Sequence, residues 1–263
     1  SDRELLFHNI SFSVNKGQKV SLIGNNGSGK STLLQIIAGR LQASEGEIIS
    51  AEKPYYIPQH FGQYDNLTVA QALGIDHKLK ALRAILNGDA SAENFASLDD
   101  DWTIEDRALN ALATWHLQHI GLDQPLDTLS GGEKTKVFLS GIEIHSPSVI
   151  LLDEPSNHLD SASRKQLYEL IETSKSTMLV VSHDRTLLNL VNLTYELGKN
   201  GVDVYGGNYE FYKIQKEEKL NALEAQLEEK EKALRQAKQI AREAAERKQK
   251  MDARGKKKQI KSG

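Results

Sequence analysis

The chain contains no cysteine. Disulfide staples and thiolate metal sites are therefore excluded, and such a composition suits a reducing compartment. Long apolar runs are missing too. The longest, at residues 149–152 and 178–181, are four residues each, far short of the roughly 20 needed to span a bilayer. The first residues include Arg3 and Glu4 with no extended apolar stretch, so no signal peptide is expected. No internal repeat is apparent.

What is present is ample in amount and uneven in distribution. Hydrophobic residues make up 39% of the 263, enough core for one large domain or two small ones. The formal charge of −3 hides an asymmetry: residues 213–263 hold 16 Lys/Arg and 9 Asp/Glu, a net of +7, which leaves −10 on the other 212 residues. An acidic body with a basic tail points to two segments with different partners.

Residues 1–50 read as β-rich with one helix. Residues 7–14 alternate weakly, 19–23 form a short β-type run, and a helix is expected over 31–38 with Gly39 at its C-terminal cap. Residues 47–49 and 55–57 read as further strands. Residues 64–128 are rich in Ala and Leu, with apolar spacing near 3.6 across 69–85 and 104–120 and a loop at 87–101, which predicts a helical subdomain (about 64–140). In 129–212 the α/β pattern returns. The runs 149–152 and 178–181 have the continuous apolarity of parallel strands buried on both faces, and helices are expected at 135–144 and 161–173. From about residue 209 Leu220, Leu227, Leu234 and Ala241 recur every seven residues, with Leu223, Lys230, Ala237 and Ala244 at the alternate seam positions. This predicts one long helix that packs on a partner over its first half only. Its end, residues 242–261, is strongly basic.

Two short stretches carry chemistry. Residues 24–31, Gly24-Asn25-Asn26-Gly27-Ser28-Gly29-Lys30-Ser31 and then Thr32, fit G-x-x-x-x-G-K-S/T between an expected strand and an expected helix. Such glycines let backbone N–H groups converge on phosphate oxygens at a helix N-terminus. Lys30 would reach the β- and γ-phosphates and the Ser31 hydroxyl a Mg²⁺ ion. The second stretch, Leu129-Ser130-Gly131-Gly132-Glu133, lies about a hundred residues on. Between it and the tail, the apolar run 149–152 ends in Asp153-Glu154. An acid at the end of a buried strand suits Mg²⁺, and Glu154 is then placed to orient or deprotonate an attacking water.

Lys30, Gln59, LSGGE at 129–133, VILLDEP at 149–155, Leu159-Asp160 and His183 stand in the order and approximate spacing of an ATP-binding cassette (ABC) nucleotide-binding domain, and the chain resembles that family over essentially all of residues 1–212. The resemblance implies an α/β, P-loop NTPase core (a mixed sheet with helices) plus a helical subdomain, with ATP and Mg²⁺ as ligands. It implies that Gln59 contacts Mg²⁺ and water, and that Ser130, Gly131 and Gly132, flanked by Leu129 and Glu133, bind the γ-phosphate of an ATP held by another cassette. Asp160 would couple the two sites and His183 would contact the γ-phosphate. The family's adenine-stacking aromatic is missing: Asp2-Arg3 resembles the segment just after it, and neither Phe7 nor Phe12 is assigned that role.

Three details resemble the cytosolic ABC-F branch, twin-cassette proteins that act on ribosomes. They are Asp153-Glu154-Pro155-Ser156-Asn157-His158-Leu159-Asp160, close to DEPTNHLD; Gly207-Asn208-Tyr209 with Tyr212; and the long charged helix, which resembles the linker between cassettes. The branch implies a cytoplasmic protein whose basic linker (residues 213–263) approaches ribosomal RNA and tRNA. It implies a second cassette downstream in one polypeptide, or a head-to-tail pair of this chain, with no membrane insertion. The alternative is the ATPase subunit of a membrane transporter. A structural ATPase with a coiled-coil arm would split the phosphate loop from Asp153, and here both precede the long helix. Trp102 and Trp115 read as core anchors, residues 99–101 as a solvated loop or helix cap, and His8, His60, His77, His116, His119 and His145 show no metal-ligand spacing.

Overall fold

The computed structural model describes residues 6–260, with side chains through residue 242. The chain divides into two compact units, residues 1–212 and 213–263.

In the first unit six strands form one mixed sheet. They are β1 (Lys19–Ile23), β2 (Tyr55–Ile57), β3 (Val149–Asp153), β4 (Thr177–Val181), β5 (Leu193–Gly198) and β6 (Gly201–Tyr205), in the order β2-β3-β4-β1-β5-β6. β2, β3, β4, β1 and β5 pair in parallel, and β6 runs antiparallel to β5. The strand period of two divides the apolar runs between the faces of the sheet. Ile150, Leu152, Met178 and Val180 join one core cluster with Ile57 and the helical subdomain. Leu151, Leu179 and Val181 join a second with Val20, Leu22 and Tyr56, against Leu33 and Leu34 of α1 (Lys30–Ile37). Because β1 to β4 share one direction, the segments that follow them open at one edge of the sheet. Residues 24–29, Gln59, Glu154 and His183 all belong to those segments, the usual place for a ligand in an open α/β sheet.

The helical subdomain comprises α2 (Val69–Ala72), α3 (Asp76–Leu86), α4 (Ala92–Leu98), α5 (Ile104–Thr114) and the start of α6 (Gly131–His145), and α7 (Ser161–Thr173) and α8 (Arg185–Asn189) complete the core. Several expectations are corrected. Residues 7–14 and 47–49 form no strand; the alternating Phe7, Ile10, Phe12 and Val14 pack on the sheet core without joining its ladder, whereas Ile49 is 88% exposed and packs on nothing comparable. The helix expected over 69–85 is cut in two at Gly74, whose φ of +72° is left-handed. The one expected to 120 ends at Thr114, just before His116 at φ +59°. The loop expected at 87–101 contains α4. Trp115 is fully buried, but Trp102 is 46% exposed and meets Phe95 edge-on, so it anchors no core. Residues 99–101 end a helix as expected, with Asp99 the C-cap of α4 and both it and Asp100 exposed; only Asp101 departs, since Arg107 grips it with both terminal nitrogens and Lys78 adds a third bond. β5, β6 and α8 had no separate signal in the sequence.

α6 crosses β2 at Gly141. A Cβ there would lie 1.8 Å from the Tyr55 hydroxyl and 2.6 Å from its ring, while that hydroxyl donates to the Phe138 carbonyl at 2.8 Å. Gly141→Ala gains about 1 kcal/mol of helix propensity. It loses more through overpacking and a displaced buried hydroxyl. We expect a net destabilisation of about 1–3 kcal/mol, read as a lower urea midpoint; a midpoint that rose would mean β2 and α6 do not meet at this residue.

α9 (Tyr209–Ile260) begins in the first unit, where Asn208 Oδ1 accepts from the Phe211 N–H at 3.1 Å. Tyr205 and Tyr212 pack edge-on beside Ile23 and Leu188, and both hydroxyls donate to Glu196. Among the described residues, the second unit is the remainder of that helix. Leu220, Leu223, Leu227 and Leu234 are each at least half exposed. The side chains of the basic stretch beyond residue 242 lie outside the described residues, as do Asp2 and Arg3. Among the described residues no helix is long and apolar enough to cross a membrane.

Candidate functional site

β1 hands the chain to a loop that turns into α1 at Gly29, the N-cap, with φ +91°. No side chain fits there easily: besides the left-handed backbone, a Cβ would fall 2.8 Å from the Phe7 ring. Lys30 Nζ donates to the carbonyls of Gly24 at 2.9 Å and Asn25 at 3.1 Å, which curls the loop around the ammonium. Burial lowers the Lys30 pKa, and the charges of Glu154 and Asp153 oppose that shift. Asn26, Gly27, Gly29, Lys30, Ser31 and Thr32 line a cleft of about 440 Å³, closed on its other sides by Leu6, Gln59, Glu154, Val181 and His183. Ser28 lies behind this lining, its Oγ buried without a hydrogen-bond partner.

Asp153 ends β3 at 1% exposure. Its Oδ1 accepts from Ser31 Oγ at 3.0 Å and its Oδ2 from the Tyr56 hydroxyl at 3.1 Å. Burial raises its pKa while those two hydroxyls hold it back. Glu154 is 5% exposed and sits at φ +51°, a backbone conformation fixed by its own N–H donating to Val181 O at 2.8 Å. Its Oε2 accepts from the His183 N–H at 3.1 Å. Its Oε1 makes no hydrogen bond, with His183 Nε2 3.5 Å away. Burial raises the Glu154 pKa above the usual carboxylate range. That combination, a basic carboxylate with one unsatisfied oxygen beside a cleft, is what a general base requires.

The second motif stands apart. Ser130 caps α6 through a reciprocal box: Glu133 N–H donates to Ser130 Oγ at 3.3 Å, and Glu133 Oε2 accepts from the Ser130 N–H at 2.9 Å and its hydroxyl at 2.7 Å. His119 Nε2 approaches the other oxygen of Glu133 at 3.0 Å. The Ser130 bonds, then His119, pull the Glu133 pKa down to about 2. Leu129 anchors the turn from below, 7% exposed. Gly131 and Gly132 lie against His158; a Cβ on Gly132 would meet the His158 carbonyl at 2.7 Å. Asp160 caps α7, accepting from Ser163 N–H at 2.8 Å, and pairs with Lys136 at 3.2 Å. These contacts hold its pKa at about 2. None of residues 129–133 lines the cleft.

The structure therefore brings Lys30, Ser31, Thr32, Gln59, Asp153, Glu154 and His183 together and leaves Leu129, Ser130, Gly131, Gly132, Glu133 and Asp160 outside. Tyr56, His119 and the packing of His158 were not foreseen. The Tyr56 contact depends on the β2–β3 register, with Tyr56 opposite Leu151, which no local pattern encodes. Phe12 packs edge-on against Tyr195.

Comparison with known proteins gives a consistent grouping. The family model described as "ABC transporter" matches residues 7–157. An Arabidopsis thaliana protein named "ABC transporter F family member 2" is 33% identical over 235 residues, 87% of this chain and 32% of its own length. The "Tylosin resistance ATP-binding protein TlrC" of Streptomyces fradiae is 30% identical over 235 residues, 80% of this chain and 43% of that protein. The chain thus spans about a third to under a half of these relatives. A dimeric bacterial ABC transporter cassette of solved structure matches with a TM-score of 0.58 at 22% identity, over 76% of this chain and 90% of that one, a likeness of fold.

Proposed function

The chain belongs to the ABC family, whose cassettes are ATPases, and we propose that it is one cassette of a two-site machine that hydrolyses ATP by in-line attack of water on the γ-phosphate. The observation that carries this reading is the pairing of a phosphate loop with an unsatisfied, buried Glu154 oxygen in the lining of one cleft. The backbone amides around Gly27 and Gly29, and the start of α1, would hold the β- and γ-phosphates with Lys30. Glu154 would take the proton of the attacking water, steered by His183. Mg²⁺ fits the oxygens present, Ser31 Oγ and Asp153 Oδ1 at 3.0 Å with Gln59 on the same cleft. When bound, it would neutralise phosphate charge. The loop at 129–133, outside this cleft, would cap the ATP of a second cassette, supplied by the same polypeptide or by a second copy of this chain.

We further propose an ABC-F role, in which closing of the two cassettes on ATP is coupled to action on the ribosome from the cytoplasm. The ribosome-facing part would be residues 213–263, a linker whose net charge of +7 suits a phosphate backbone. The relatives named for the F family and for tylosin resistance support this branch. The test is co-sedimentation of Glu154→Gln with ribosomes. Binding in ATP, weaker in ADP and falling steeply with salt, is the expected result. If the protein stays in the supernatant in every nucleotide state at low salt, the ribosome reading is wrong and the transporter-subunit reading takes its place.

A further inference from the structure

Asp153 has two carboxylate oxygens and two donors, both hydroxyls. Ser31, at the start of α1, serves Oδ1, and Tyr56, in the middle of β2, serves Oδ2. Tyr56 is 4% exposed, so no bulk water stands ready to replace its hydroxyl.

What fixes the Tyr56 ring comes from the far end of the same helix. Past the C-cap of α1 at Ala38, Arg40 turns its guanidinium over two rings at once, with its centre 5.2 Å from the Tyr56 centroid and 5.2 Å from that of Tyr64. It also donates to the Tyr64 hydroxyl. Tyr64 in turn meets Phe138 of α6 edge-on at 4.9 Å. A cation set over two aromatic rings at once is a directional contact, and its hydrogen bond to Tyr64 restrains Arg40 from swinging away.

We infer that Tyr56 is a positioning residue for Asp153 and that Arg40 locks Tyr56 in place, so the phosphate-loop helix grips this carboxylate from both of its ends. Ser31 holds it directly and Arg40 holds it through Tyr56. This inference rests on the reading of Asp153 as a Mg²⁺ carboxylate. Its physical content is that Oδ2, deprived of Tyr56, becomes a buried acceptor without a donor. The carboxylate is then held by Ser31 alone and free to rotate, which weakens its hold on a hard cation.

The experiment measures ATP affinity of the full chain by calorimetry, once with Mg²⁺ and once in EDTA, and takes the ratio as the metal enhancement. Tyr56→Phe should cut the enhancement about tenfold, the lower end of the usual effect of removing a ligand's orienting partner, with EDTA affinity unchanged. Added to Asp153→Asn, it should change nothing more. Arg40→Gln, at an exposed position that does not threaten folding, should cut the enhancement about two- to fivefold, and it carries the test if Tyr56→Phe proves unstable. An undiminished enhancement in either variant overturns that residue's part. So does a further loss in the Asp153→Asn background, or an equal loss in EDTA. If the parent chain binds ATP with no metal enhancement, the Mg²⁺ reading itself fails, which is a separate outcome.

Discussion

Glu154→Gln should lower ATP hydrolysis by about 10²–10⁴-fold, the usual worth of a positioned general base, while leaving nucleotide binding intact. The amide keeps the size of the side chain and an oxygen for the His183 N–H, which Glu154 Oε2 now accepts at 3.1 Å. It removes only the ability to take a proton. Because burial holds the Glu154 pKa above the usual range, the parent's turnover should fall as pH drops through that raised value, and the residual rate of the variant should be flat there. The linkage sign gives a second expectation. A raised carboxylate pKa means the folded state binds the proton more tightly than the unfolded state. Stability is therefore undiminished below the unfolded value and is lost as pH rises through the folded one. Glu154→Gln escapes that cost, so its melting temperature at neutral pH should be above the parent's. Phosphate release, its pH profile and thermal melts check all three, and unchanged hydrolysis would remove Glu154 from the role of base.

The parts of this site legible in the sequence are those whose chemistry is local. Lys30 and Ser31 are read from a run of eight residues, and Asp153 and Glu154 from an apolar run that ends in two acids. α7 matches its sequence range because Asp160 caps it and one unbroken period follows. Long-range facts stayed hidden. Tyr56 is one of two adjacent tyrosines on β2, and only the sheet register sends Tyr56 toward Asp153 while Tyr55 points to Phe138 on the other face. Trp102 misled because its size argues for burial, whereas Asp99 and Asp100, both left-handed at φ +53° and +54°, turn the chain outward just before it. The exposed Ile48 and Ile49 misled for the opposite reason: an apolar pair looks like a strand even where no neighbour is available to pair with.

Two inactive variants of this chain should restore each other's activity when mixed. Lys30→Ala removes the phosphate-loop cation and keeps the 129–133 loop. Gly131→Asp keeps the phosphate loop and places a carboxylate where the other cassette's γ-phosphate would dock. The second variant should fold well: Gly131 is the first residue of α6, where an acid favours the helix dipole, and a Cβ there makes an ordinary 3.5 Å contact with the His158 ring. Each alone should lose about 10²-fold or more of its hydrolysis, since each site lacks one charge-bearing half. In a two-fold pair each site combines one chain's phosphate loop with the other's 129–133 loop. A mixed pair then has one wild-type site and one doubly damaged site. Random pairing makes about half the pairs mixed, so activity should return to about a quarter of the parent's. It should fall on dilution as pairs dissociate. The cleft geometry underlies this expectation, because its lining contains the phosphate loop, Glu154 and His183 but no residue of 129–133. Activity in the mixture no greater than the sum of its parts would mean that two copies of this chain do not pair, leaving the second cassette to the same polypeptide, whereas fast turnover by a demonstrated monomer would place both halves of the site in one chain.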